Sequence, residues 1–485
     1  MGQILRADIC VIGGGSGGLS VAAGAAQMGA RTILIEKGEM GGDCLNTGCV
    51  PSKALIAAGE AAETVRRSGV FGVNGHEPQI DFAKVHDHVH GVIAAIAPHD
   101  SVERFEGLGV QVIKGAARFT GPKEVEVEGR RIRARRFVIA TGSSPALPPI
   151  PGLDEVPFLT NETIFDLKER PDHLIVIGGG PIGAELAQAQ RRLGARVTLL
   201  EVASLMGKDD PEAADVVRQR LIAEGVDLQE GIRIESLARK GNGIAASIKA
   251  TSIKAISIKA GGEVREIEGS HLLIAAGRRP NVNGLGLQAA EIDYASRGIV
   301  VDGRLRTSNR KVFAIGDVIG GYQFTHMAGY HAGIVIRNAL FALPARVKDN
   351  AVPWVTYTDP EVAQVGLTEA EARERHGEAV RLSRWSFAEN DRAQAERATE
   401  GFVKVVTGKR GRILGVTLVG RHAGELLQPW VLAITRGLKI GAMAGIIAPY
   451  PTLGEISKRA AGAHFTEALF GPRTRRVVGL LQRLP

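Results

Sequence analysis

The chain has 485 residues, 44% of them hydrophobic, and 60 Lys plus Arg against 52 Asp plus Glu give a formal net charge of +8. At roughly 150 residues per domain this is about three domains' worth of chain, large enough to bury cores without disulfide or metal staples and too apolar for global disorder. The 62 glycines lack a Gly-X-Y period, which excludes a collagen-like chain, and the three cysteines exclude a disulfide framework. A basic balance suits nucleic acid or an acidic membrane surface in some proteins; here it reads as a solvated surface, with no nucleic-acid partner expected. The first apolar run leads straight into a glycine motif and so reads as a strand, not a signal peptide. No window approaches 18 uninterrupted apolar residues, so the expectation is a cytoplasmic protein without a membrane span.

Residues 7–12 read as a strand, followed at once by Gly13-Gly14-Gly15-Ser16-Gly17-Gly18. Residues 19–28 read as an Ala-rich helix and 31–35 as a second strand ending at Glu36. In that strand–turn–helix setting Gly13 permits the tight turn, Gly15 leaves room for a pyrophosphate, and Gly18 lets helix and strand close together. The helix N-terminus offers amide donors to a diphosphate. Glu36, 18 residues after Gly18, stands where a carboxylate accepts from ribose hydroxyls.

The unit recurs about 165 residues on: a strand at 174–177, then Gly178, Gly180 and Gly183, a helix at 184–193, and a strand at 197–200 capped by Glu201. A carboxylate there favours an unmodified ribose, and residues 202–206 carry no Arg or Lys, so NADH is expected over NADPH. Between the units, residues 137–143 read as a strand ending in a glycine turn, and a Pro-rich crossing at 145–151 marks a domain boundary. The strand-to-glycine pattern returns at 271–278 and 312–317. Ser-Ile-Lys-Ala occurs three times within 247–260 and reads as a solvated hairpin strand. Near residue 350 a separate α+β domain begins, with an antiparallel sheet at 402–406 and 413–419 and helices at 424–436 and 453–469.

The most informative stretch is residues 41–53, Gly-Gly-Asp-Cys-Leu-Asn-Thr-Gly-Cys-Val-Pro-Ser-Lys. Cys44 and Cys49 lie five positions apart near a helix start, which lowers a thiolate pKa and suits redox work. The spacing permits an internal disulfide without fixing its geometry, so a coincidental pair stays open as the alternative. A zinc site lacks a second cysteine pair, and no metal ligands are expected. Cys10, in the first strand, reads as an inert small hydrophobe.

Residues 41–53 resemble the active-site signature of the FAD-dependent pyridine nucleotide–disulfide oxidoreductases, a family that includes dihydrolipoamide dehydrogenase, glutathione reductase and mercuric reductase. The likeness runs through both glycine motifs, Thr141-Gly142, Ala276-Gly277-Arg278, Gly316-Asp317, and Pro451-Thr452 with Glu455. It implies an α/β fold of two Rossmann-like dinucleotide-binding domains plus a C-terminal α+β dimerisation domain. The implied segments are FAD-binding at 1–147 and 281–350, NAD(P)-binding at 148–280 and dimerisation at 351–485. The resemblance further implies a homodimer with non-covalent FAD held by Gly13, Gly15, Gly18, Glu36, Lys37, Gly42, Lys53, Thr141, Gly142 and Asp317. The nicotinamide cofactor would be held by Gly178, Gly180, Gly183, Glu201 and Gly277. Cys49 would be the charge-transfer thiol against the flavin, Cys44 the interchange thiol that attacks substrate, and Lys53 would pair with Glu185 near the reactive flavin nitrogen.

The chain departs from this family at one telling position. Members that turn over disulfides read His-Pro-Thr followed by a Glu that orients the His as acid–base; here the His is replaced by Tyr450, with Glu455 following. A phenol of ordinary pKa, ~10, is a poor base at neutral pH. Mercuric reductases also lack that His and use tyrosine near the metal path, which tilts the expectation toward a soft metal acceptor. Against it, no cysteine follows Cys49, where mercuric reductases carry a C-terminal vicinal pair, and no N-terminal cysteine-bearing metal domain precedes the first motif. Pro181 stands where some relatives carry an aromatic lid, His326 is expected in a structural role beside the flavin, and His422 and His464 read as ordinary residues. The expected function is an NADH-dependent flavoprotein reductase passing electrons through FAD and a Cys44–Cys49 disulfide to a soft metal ion or small disulfide. The alternatives are a dihydrolipoamide dehydrogenase with a substituted base and an NADH oxidase or diaphorase.

Overall fold

The first sheet grows outward from β1 (Ile4–Ile12), which starts earlier than its apolar stretch suggests. The structure is a computed structural model and describes residues 4–250 and 264–484. β1 pairs in parallel with β2 (Thr32–Glu36), β2 with β3 (Val110–Lys114), and the other edge of β1 with the strand Arg130–Ile139. The second half of Arg130–Ile139 carries the parallel strand Val312–Ala314, and its first half an antiparallel meander of Glu124–Val127 and Arg118–Gly121. Parallel strands covered on both faces read as continuous apolar runs, as at residues 9–12 and 137–139, all of them buried. Cys10 lies in that core with no exposed surface, and burial pushes its thiol up to about 12, which leaves it inert.

The second sheet is wholly parallel, in the order Asp227–Glu230, Arg196–Glu201, His173–Ile177, His271–Ile274. The helix after its glycine turn is Pro181–Arg192, with the proline in the first turn, where its missing N–H costs nothing. Beside it lies a three-stranded antiparallel sheet of Ile232–Lys240, Gly243–Ala250 and Arg265–Gly269. The Ser-Ile-Lys-Ala repeat begins on its middle strand, and the part from 251 to 260 lies outside the described residues.

The chain forms two compact units, one of residues through 202 with 227–347, the other of 203–226 with 348 onward. The second unit holds a five-stranded antiparallel sheet in the order Pro353–Thr356, Glu361–Gly366, Ile413–Gly420, Phe402–Thr407, Arg381–Ser386. The expected antiparallel pair is there, but both expected helices are broken. The first divides into Ala423–Leu426 and Gln428–Thr435, because Pro429 has no N–H to continue the ladder. The second divides into Glu455–Ala463 and Thr466–Phe470, just past Gly462.

Residues 203–226 are tied into this second unit by a buried cation. The Lys404 side chain, 4% exposed, lies 2.8 Å from Asp210, 3.1 Å from Glu212 and 3.4 Å from Glu369. Lys404→Met strands Asp210, itself 2% exposed, without a counter-charge. The expected loss of stability in urea denaturation of the full chain is about 3–5 kcal/mol. A loss under about 1 kcal/mol would show that water reaches these carboxylates and that the cluster behaves like a surface pair.

Candidate active site

The two glycine loops repeat one steric design. A Cβ on Gly13 would lie 2.3 Å from the Ala140 carbonyl oxygen, and one on Gly178 2.4 Å from that of Ala275. A Cβ on Gly18 or Gly183 would lie 1.8 Å from the carbonyl oxygen of Gly13 or Gly178, so no side chain is possible there. Over Gly15 the nearest atom to an added Cβ is 3.8 Å away, and over Gly180 nothing lies within 4 Å. Each loop therefore opens at its middle glycine, beside a helix whose N-terminus has no side-chain cap. Glu36 accepts from the Gly14 and Gly38 amides, and Glu201 accepts from the Gly179 amide at 2.6 Å. Open glycine floors, uncapped helix amides and a carboxylate at the next strand end fit a dinucleotide at each loop.

The cysteine turn is seated on the first loop by backbone contact. The Gly41 amide donates to the Gly14 carbonyl at 2.9 Å. Gly42 has φ +61°, and a Cβ on it would lie 2.7 Å from Gly15 Cα. There α1 (Gly42–Asn46) begins, carrying Cys44, and α2 (Cys49–Arg67) begins at Cys49 itself. Both cysteines are free thiols, with Cys44 half-buried and Cys49 exposed.

The two thiols are electrostatically unequal. The Cys44 thiol donates a hydrogen bond to the Cys49 sulfur, which is the main reason that Cys49 falls to about 6. The Thr325 hydroxyl, 3.5 Å from Cys49 Sγ, and the Lys53 charge act in the same direction, against burial and the Asp43 charge. Donating that bond, together with burial, pushes Cys44 well above an ordinary thiol. Cys49 thus carries the charge and Cys44 the proton. Lys53 follows Cys49 by one helical turn, and its Nζ lies 2.8 Å from Glu185 Oε2, whose side chain is 7% exposed.

A second network clamps this turn from its other side. Arg278 places Nη2 3.1 Å from Asp43 Oδ2, and donates from Nε to Ser143 Oγ at 2.8 Å and from Nη2 to the Ser143 carbonyl at 2.9 Å. Ser143 Oγ in turn donates to Asp317 at 2.7 Å, and burial pushes the Asp317 carboxyl up against the opposing effects of Ser143 and Arg278. Asn161 donates to Asp43 and to the Thr47 carbonyl, both at 3.0 Å. Thr141 Oγ1 donates to the Asn281 carbonyl at 2.8 Å, and the Asn281 amide donates to the Gly142 carbonyl at 3.0 Å. Lys37 is exposed past β2, and Gly277 sits at φ +123°.

Sequence reasoning missed Arg278 as a clamp, along with Asn161, Asn281 and Thr325. In the Thr325-His326 pair it singled out His326, which stacks on Phe324 at 5.1 Å, and passed over Thr325, which meets Cys49. His331 was also missed: it is buried and accepts from the Gly316 amide at 3.3 Å, next to Asp317. Among these, Arg278 and Asn281 had a usable signal, since both adjoin motif turns.

The predicted pair in the second unit is not mutually bonded. Tyr450 is exposed and its hydroxyl donates to Asp391 at 2.9 Å, while Glu455 accepts from Arg459 at 3.0 Å. The Asp391 hydrogen bond and charge, with the Glu455 charge nearby, push the phenol above its ordinary value, so it keeps its proton at neutral pH. Among the described residues, no group of three or more His, Cys, Asp or Glu is placed to hold a metal ion, and no helix is long and apolar enough to cross a membrane.

Comparison with known proteins gives the same picture across the chain. Residues 7–332 match the profile of the pyridine nucleotide-disulphide oxidoreductases, and residues 352–461 match the dimerisation domain of that family. A mercuric reductase of Bacillus cereus is 37% identical over 93% of this chain and 70% of its own length. A dihydrolipoyl dehydrogenase of Thermus scotoductus is 36% identical over 95% of this chain and 98% of its own. Among solved structures, the HOCl-induced flavoprotein disulfide reductase RclA of Escherichia coli superposes with TM-score 0.82 at 27% identity, covering 94% of this chain and 99% of that one. LpdA of Mycobacterium tuberculosis superposes with TM-score 0.84 at 28% identity over the same shares. Steric design, cysteine turn and full-length similarity agree, and the chain belongs to the FAD-dependent pyridine nucleotide–disulfide oxidoreductases.

Proposed function

We propose that the chain is a homodimeric, NADH-dependent flavoprotein reductase whose Cys44–Cys49 pair delivers electrons to a soft metal ion, with small disulfides as poorer acceptors. FAD, when bound, supplies the two-electron relay between the nicotinamide and the cysteines. Gly13, Gly15, Gly18 and Glu36 would hold its ADP portion, with Lys37, Gly42, Thr141, Gly142 and Asp317 along the rest. Gly178, Gly180, Gly183, Glu201 and Gly277 would hold the nicotinamide dinucleotide. Cys49 would keep its negative charge beside the flavin, Lys53 and Glu185 would fix a cation there, and Cys44 would meet the acceptor. In this reading segments 1–147 and 281–350 carry FAD, 148–280 carries the nicotinamide cofactor, and 351–485 dimerises and lends Tyr450 and Glu455 to a second copy.

The observation that carries the choice of acceptor is the Tyr450 phenol, held protonated by Asp391 where disulfide-reducing members have an imidazole. Thiol–disulfide exchange needs Cys44 as a thiolate, and this phenol is a poor base to make it one. A soft metal ion removes that requirement, because coordination itself displaces the thiol proton. Two relatives support the reading: the mercuric reductase named above, and RclA, which is known as a Cu(II) complex. The test is NADH oxidation by the purified enzyme with Hg(II), lipoamide and glutathione disulfide in parallel. The expected result is disulfide turnover at least ~100-fold below that with Hg(II), the size of a missing general base. Lipoamide turnover equal to or faster than that with Hg(II) would sink the metal reading.

The NADH preference rests on Glu201. Glu201→Arg is expected to raise kcat/KM for NADPH and lower it for NADH, each by about 10-fold, as a repulsive contact with a 2′-phosphate becomes a charge-assisted one. An unchanged NADH-to-NADPH ratio would place cofactor choice elsewhere.

A further inference from the structure

The last helix of the described chain, Pro472–Leu481, buries none of its residues. Val477, Leu480, Leu481 and Leu484 recur at helical spacing and are each about half or more exposed, as are Leu469 and Phe470 just before them. Arg475, Arg476 and Arg483 fall off that stripe, whereas Arg473, four residues before Val477, lies on it, where a long side chain can carry its charge away from an apolar surface. After Glu467 the chain has no acidic residue. The helix also lies past residue 461, where the match to the shared dimerisation domain ends.

We propose that this helix lies flat on an anionic lipid surface and holds the reductase there peripherally. An apolar stripe flanked by arginines is the form of an interfacial helix. At ten residues, ~15 Å, the helix is too short to span a bilayer. A stretch with four arginines and no carboxylate complements lipid phosphates, whereas a second copy would bring the same positive charge. The inference is independent of which acceptor the cysteines serve.

The test is flotation of the full-length FAD-loaded protein with vesicles of phosphatidylcholine containing phosphatidylglycerol, against vesicles of phosphatidylcholine alone. The wild type is expected to float with the anionic vesicles only, and less as salt rises. R475E/R476E is expected to weaken this at least ~10-fold, and a chain ending at Gly471 to lose it, with flavin content and native mass unchanged. Failure of the wild type to bind anionic vesicles, or equal binding by the shortened chain or by neutral vesicles, would overturn the proposal. A shortened chain that falls to half the native mass would overturn it too, and would assign the stripe to a second copy.

Discussion

Cys44→Ser is expected to lower Hg(II)- and disulfide-dependent turnover by at least ~10³-fold, because Cys44 is the thiol proposed to meet the acceptor, while the Cys49 thiolate is kept beside the flavin. Flavin content is expected to stay intact, since Cys44 sits half-buried in a short helix whose seat on the first glycine loop is made by Gly41 and Gly42. The thiol pair adds a pH signature. Cys49 ionises at about 6, so its alkylation by iodoacetamide should rise as pH climbs through that value and flatten above it. Serine at 44 still donates a hydrogen bond to Cys49, whereas Cys44→Ala removes the donor and should move the midpoint up toward the ordinary thiol value, ~8.5. Equal midpoints in the serine and alanine variants would show that the Cys44 hydrogen bond is not what lowers Cys49. Turnover left intact in Cys44→Ser would instead favour an oxidase or diaphorase that bypasses the cysteines.

Lys53→Met has the second largest expected effect, and it acts on two properties at once. Glu185 loses its ion pair with Lys53, at 2.8 Å, while remaining almost wholly buried. Because Lys53 itself is about a third exposed, the stability loss is expected at the lower end for a broken buried pair, roughly 2–3 kcal/mol. Cys49 also loses a neighbouring positive charge, so its alkylation midpoint should rise, and reduction by NADH should slow by about 100-fold. Lys53→Arg restores charge but not the ammonium's shape, and should recover the midpoint more fully than the reduction rate. An unchanged midpoint in Lys53→Met would remove Lys53 from the account of thiolate stabilisation.

What the sequence discloses about this molecule is what short stretches of backbone demand. Gly13, Gly18, Gly178 and Gly183 are legible because a Cβ at each would strike a carbonyl oxygen, so the requirement for glycine is written at the position itself. Cys44, Cys49 and Lys53 are legible for a related reason: they fall within two helix starts only a few residues apart. The contacts that finish the site are long-range. Thr325 meets Cys49 across 276 positions of sequence, and Asn161 reaches Asp43 across 118, and neither is announced by any periodicity near it. The same holds for Tyr450: its identity shows that the imidazole is missing, but only the fold shows that Asp391 holds the phenol protonated while Glu455 turns to Arg459. The expected long helix at 424–436 failed at Pro429, where the rule that proline interrupts a helix outweighs the apolar pattern around it.

The most direct test is an anaerobic titration with NADH of the purified, FAD-loaded protein whose Cys44–Cys49 pair has first been oxidised to the disulfide, with thiols counted by alkylation and mass measurement at each step. The first equivalent of NADH per flavin is expected to convert Cys44 and Cys49 from unreactive to alkylatable, with long-wavelength absorbance growing in as the Cys49 thiolate forms. Loss of the flavin's visible absorbance with that first equivalent, and no newly reactive thiol, would contradict it.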